Sequence, residues 1–149
     1  PLPAPDSMDL PAAGLQRFVD AQAPVYDQVR AELAAGRKRT HWMWFVFPQL
    51  QGLGRSAMAQ RYAIASLAEA AAYLAHLLRG ARLRECAALV LAARGPAIDD
   101  IFGSPDDLKF KSCMTLFDAV APAGDTLFAQ CLQRFFGGER DAATLERLA

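Results

Sequence analysis

At 149 residues, 53% hydrophobic and 21% charged with no net charge, the chain is long enough to bury a real core and too apolar to be disordered. Its longest uninterrupted apolar candidate, residues 87–93, lies between Glu85 and Arg94, far short of the roughly 18 residues of a membrane span, so no membrane partner is expected. An overall neutral charge and the lack of a basic tail argue against a nucleic-acid partner.

The charge is unevenly spread. Residues 1–36 carry two basic and five acidic groups, residues 37–94 nine and two, and residues 95–149 five and nine. The basic middle is either an anion site or the electrostatic partner of the two acidic ends. The opening Pro-Leu-Pro-Ala-Pro-Asp-Ser reads as a disordered leader or tag remnant over residues 1–8, followed by one domain over 9–149. It has neither the basic start nor the apolar stretch of a secretory signal. Three cysteines, Cys86, Cys113 and Cys131, are odd in number, widely spaced and set in apolar helical patterns, which predicts buried free thiols in a reduced, cytoplasmic protein.

Helical periods then recur along the chain. Leu15, Phe18, Val19 and Gln22 form one stripe. Pro24 stands where a second helix begins, with Val25, Val29 and Leu33 at spacing four and Gly36 as its C-cap. Ser66 and Glu69 form a capping box ahead of Ala70, Tyr73, Leu74 and Leu77. Gly80 is expected to break or bend that helix, and the stripe Leu83, Cys86, Ala87 and Val90 is expected to stop at Gly95-Pro96. Ser104-Pro105-Asp106-Asp107 reads as a further start, with Ser104 as cap and two acids at the positive end of the helix. Leu127, Cys131, Leu132 and Phe135 build another helix closed by Gly137-Gly138, and Asp141 caps a last short one. No internal repeat and no regular strand alternation is present. The sum is an all-α fold of about six or seven helices.

Residues 36–56, GRKRTHWMWFVFPQLQGLGRS, stand apart. Arg37, Lys38 and Arg39 run into Thr40 and His41. Six apolar residues follow, among them both tryptophans, Trp42 and Trp44. Such a run has no period to assign it, and in a helical chain it reads as a short buried helix. The tryptophans serve equally well as core anchors or as a rigid wall for a planar ligand. The arginines suit phosphate or carboxylate. The Gly52-Leu53-Gly54-Arg55-Ser56 loop offers backbone N–H groups to an anion, although neither a P-loop nor a dinucleotide fingerprint is present.

This run, together with YAIAS at 62–66, AYLAH at 72–76, IFGSPDDLKFKSCMTLF at 101–117 and FFGG at 135–138, resembles the bacterial domain-of-unknown-function 1810 family over nearly the whole chain. The resemblance implies a small all-α cytoplasmic protein and no established activity. Some members of that family carry the label calpastatin, but an ordered apolar domain is physically unlike a disordered protease-inhibitor repeat. The chain departs from the family pattern at Leu77-Leu78, where the family has a proline after the histidine, and at Phe110–Cys113, where it has a leucine and then two serines.

Catalytic candidates are few. His41 is the one candidate acid or base, because an imidazole titrates near pH 6.5. His76 reads as structural. No ligand spacing suggests a metal, and no cofactor is implied. The expected function is binding of a small anionic or nucleotide-like ligand through Arg37, Lys38, Arg39, Trp42, Trp44, Gln49, Arg55 and Ser56, with Lys109 and Ser112 contributing from a second side. The alternatives are a protein–protein interaction module built on the Trp42/Trp44 patch and a glycosidase acting on ADP-ribosyl-type ligands.

Overall fold

The computed structural model describes residues 14–94 and 97–148, and these contain ten helices and no strand. They are α1 (14–22), α2 (Tyr26–Ala34), α3 (Met43–Val46), α4 (Ala57–Arg61), α5 (Leu67–Ala75), α6 (Leu77–Ala92), α7 (Ile98–Phe102), α8 (Asp106–Val120), α9 (Leu127–Phe136) and α10 (Ala142–Leu148). The expected count of six or seven is too low. Two elements that the sequence did not signal, α4 and α7, are five residues long, too short to display a helical period. The leader call at 1–8 and the Gly95-Pro96 stop lie outside the described residues.

Local chemistry explains several boundaries. Gly36, at φ +75°, ends α2: its N–H bonds the Leu33 carbonyl and the Arg37 N–H reaches back to the Glu32 carbonyl. At α5 the Ser66 hydroxyl accepts from the Glu69 amide at 3.1 Å, while the Glu69 carboxylate accepts from the Ala65 amide, one residue before the cap. Asp141 caps α10 by accepting from both the amide and the hydroxyl of Thr144. The start at 104–107 is correct, but Ser104 is not the cap, and Pro105 precedes the first turn of α8 without a side-chain bond.

Gly80 does not break its helix. The break falls four residues earlier, at His76, whose Nδ1 accepts from the Leu78 and Arg79 amides and so caps α6. Desolvation and the neighbouring Arg79 guanidinium hold this imidazole below its usual pKa, in keeping with a ring that must stay neutral to accept. Gly80 instead lets α6 approach the end of α5: a Cβ there would stand 2.0 Å from the Leu74 carbonyl oxygen.

α8 is the central element, packed against α5, α7, α9 and α10, while α6 closes the other side against α2, α5 and α9. The core is strongly aromatic. Phe47 meets Phe110 edge-on at 5.1 Å, Phe18 meets Tyr73 likewise at 5.1 Å, and Phe117 lies 5.3 Å from Tyr73. All three cysteines are buried and free, and burial pushes the Cys86 thiol up to about 12. Two ion pairs join the basic middle of the chain to its acidic end, Lys38–Asp106 and Arg84–Asp125, both at 3.0 Å. Arg79 is 2% exposed with its Nε unpartnered among the described residues; its guanidinium carbon lies 5.8 Å from the centre of the Tyr73 ring.

Candidate ligand-binding groove

The special segment divides into two halves with different fates. The first half is organised by Glu32, which projects inward from α2 and is only 3% exposed. Its carboxylate accepts from the Arg39 amide (2.6 Å), the Thr40 amide (3.0 Å), the Thr40 hydroxyl (2.6 Å), the Trp42 indole N–H (2.9 Å) and the Gln28 side chain (2.9 Å). Burial raises the pKa of this carboxyl, but the bonds from the Thr40 hydroxyl, the Arg39 amide and Gln28 outweigh it and hold the group down to about 2. Sequence reasoning missed this knot. One signal was present: Glu32 lies three residues after Val29 and beside Leu33, on the buried face of α2.

The knot disperses the expected cation cluster. Arg37 and Arg39 are exposed, whereas Lys38 turns inward. The Lys38 ammonium pairs with Asp106 and sits 5.3 Å from the centre of the Trp42 ring, and its amide donates to the Ile101 carbonyl. His41 is exposed, and none of the clefts described below includes it in its walls. Trp42 is 1% exposed with its N–H committed to Glu32, which leaves no indole face for a ligand. Trp44 is half-buried, with the Lys109 ammonium 5.5 Å from its ring centre.

The second half of the segment runs along a groove. After α3, a short parallel bridge between Leu50 and Ile64 fixes the chain, held by the Ile64 N–H to the Gln49 carbonyl and the Gln51 N–H to the Ile64 carbonyl. The following loop turns at Gly52, φ +95°. A Cβ on Gly54 would come within 2.5 Å of the Ala59 methyl, so a glycine there lets the loop lie directly on α4. Ser56 caps α4 by accepting from the Ala59 amide, which gives that hydroxyl a structural task.

Against this loop stand the first turns of α8 and α10. Together they enclose a groove of about 260 Å³ lined by Gln49, Leu53, Gly54, Pro105, Leu108, Lys109, Ser112, Asp141 and Ala143. Three predicted site residues, Gln49, Lys109 and Ser112, therefore meet in one place. Ser112 is 5% exposed and donates to the Leu108 carbonyl, which leaves its oxygen lone pairs free to accept. Lys109 reaches Asp106 at 3.5 Å, but that carboxylate is already held by Lys38 at 3.0 Å. One carboxylate thus faces two ammonium groups, and the one on the groove side is in excess. Asp141, foreseen only as a cap, is the acidic group of the same groove.

A neighbouring hollow of about 510 Å³, lined by Gln51, Gly52, Gly54, Arg55 and Gln60, meets the groove at Gly54. A larger cleft of about 670 Å³ lies elsewhere, between the C-terminal ends of α2 and α6. Its walls are alanine, glycine and leucine with Arg94 as the lone charge. On chemical grounds the smaller groove is the better candidate, because several convergent polar groups, rather than volume, mark a binding site.

The fold and groove define a helical protein with an open polar cleft at the meeting of a glycine loop and two helix starts. The chain belongs to the family described as protein of unknown function (DUF1810), whose model matches residues 12–148. It is also similar to the crystal structure of a conserved hypothetical protein from Mycobacterium tuberculosis, with 55% sequence identity, a TM-score of 0.88, and coverage of 90% of this chain and 95% of that one. No curated protein matches it. Among the described residues no helix is long and apolar enough to cross a membrane.

Proposed function

We propose that the protein binds a small anionic ligand in the groove between the 49–54 loop and the first turns of α8 and α10. The observation that carries this reading is the Lys38–Asp106–Lys109 arrangement, in which a single carboxylate serves two cations and the outer one faces the groove. An ammonium in that position gains from an incoming anion, the Gln49 side-chain NH2 is a donor that can orient it, and the Ser112 lone pairs accept from a hydroxyl of the same ligand. Leu53, Leu108 and Pro105 give the apolar walls usual for such sites.

The nucleotide-like form of this ligand, and hydrolysis of an ADP-ribosyl group, are finer versions of the same reading. Both are tested by one panel: thermal melts with inorganic phosphate, a sugar monophosphate, AMP and ADP-ribose, with products analysed after incubation with ADP-ribose. The wild type is expected to be stabilised by at least one phosphorylated compound, and Lys109→Ala is expected to lose that shift while melting at its usual temperature. A panel that leaves both proteins unmoved refutes the binding reading. The rival reading, a docking patch on Trp42 and Trp44, is weakened because Trp42 is almost wholly buried.

A further inference from the structure

We infer that the ligand of this site carries two separated anionic groups, one held by Lys109 in the groove and the other by Arg55 in the adjoining hollow. The inference rests on the anion-binding reading above and extends it to the class of ligand, that of phosphorylated compounds with two phosphoryl groups at a distance from each other.

The two hollows adjoin at Gly54, which lines both. Each compartment contains one cation, Lys109 in the first and Arg55 in the second. Lys109 shares Asp106 with Lys38, and Arg55 takes part in none of the ion pairs among the described residues. The Arg55 backbone is fixed, since its carbonyl accepts from the Gln60 side chain at 2.9 Å and Ser56 caps the next helix. The guanidinium therefore extends from an anchored point rather than from a loose loop.

Three of the polar groups that line the two compartments are uncharged amides, and the one carboxylate, Asp141, is engaged by the Thr144 amide and hydroxyl as the cap of α10. Gln49 belongs to the first compartment, and Gln51 and Gln60 to the second. Side-chain amides both donate and accept, and so suit a hydroxylated linker between two phosphates. Each hollow, at about 260 Å³ and about 510 Å³, has room for a phosphoryl group. Linking two anionic groups in one molecule makes the second contact intramolecular, so a bis-anion gains over a mono-anion without any new kind of contact.

The test is calorimetric titration of the wild type, Arg55→Ala, Lys109→Ala and Arg147→Ala, the last removing the rival cation whose guanidinium lies against Gly52, with fructose 6-phosphate and with fructose 1,6-bisphosphate. In the wild type the bisphosphate is expected to bind about tenfold or more tightly than the monophosphate. Arg55→Ala should bring that ratio close to one while keeping the monophosphate affinity, and Arg147→Ala should leave the ratio unchanged. If the ratio survives Arg55→Ala, or follows Arg147 instead, the two-anion inference falls while the groove reading stands. If neither sugar phosphate binds the wild type, both fall. The melting temperature of each variant in the absence of ligand separates lost binding from lost folding.

Discussion

The Glu32 knot and the Lys109 groove lie on the same twenty-one-residue segment and its neighbours, yet they use polar groups in opposite ways. In the knot five donors converge on one carboxylate, and nothing is left over. In the groove one carboxylate serves two ammonium groups, a hydroxyl keeps its lone pairs, and an amide lines open space. A run of unusual residues is thus not evidence of a site by itself. What separates scaffold from site is whether the polar groups are already satisfied within the fold.

The largest expected effect is on the scaffold side. Glu32→Ala leaves the Arg39 and Thr40 amides and the Trp42 indole N–H without their acceptor, and should destabilise the protein by about 3 kcal/mol or more in urea unfolding. If it costs under about 0.5 kcal/mol, the knot is not a structural anchor.

Acid unfolding examines the same group without mutation. The Glu32 pKa is lowered by folding, from 4.5 to about 2, so the unfolded chain takes up the proton first. The stabilisation, roughly 3 kcal/mol by linkage, is fully present above about pH 4.5 and is lost as pH falls towards 2. Comparing wild type with Glu32→Gln should show this slope in the wild type and a flatter profile in the variant; parallel profiles would contradict the assignment.

Lys38 and Lys109 sharpen the contrast further, because both touch Asp106. The Lys38 side chain is 10% exposed and that of Lys109 26%. Lys38→Ala should cost about 1–2 kcal/mol, and Lys109→Ala less than about 0.5 kcal/mol while removing ligand binding. Equal stability losses in the two variants would erase the distinction between scaffold and site. The smallest effects belong to Arg37→Ala, Arg39→Ala and His41→Ala, exposed positions expected to change stability by less than about 0.5 kcal/mol and to leave ligand affinity as it is. A loss of binding in any of them would move the site towards the exposed start of the segment.

The elements with a capping signal were legible in the sequence. Ser66 with Glu69 and Asp141 before α10 act as their residue types require, and the apolar run at 42–47 does contain a short buried helix. The single-turn elements α4 and α7 were not, because five residues carry no period. Gly80 misled for a related reason: a glycine inside a helix reads as a break, but here it serves the close approach of Leu74, a tertiary demand invisible in the chain itself. Of the residues singled out in the sequence, Gln49, Lys109 and Ser112 meet in one groove. The direction of each side chain was not legible. That Lys38 turns inward between two exposed arginines depends on Glu32 and Asp106, six residues upstream and 68 downstream.

The Lys109 ammonium, sharing one carboxylate with Lys38, is expected to hold an anion, and titration of wild type and Lys109→Ala with fructose 1,6-bisphosphate in low-salt buffer measures this. Saturable binding to the wild type and at least about tenfold weaker binding to a variant of unchanged melting temperature are expected. Equal affinity in the two proteins would show that Lys109 holds no anion.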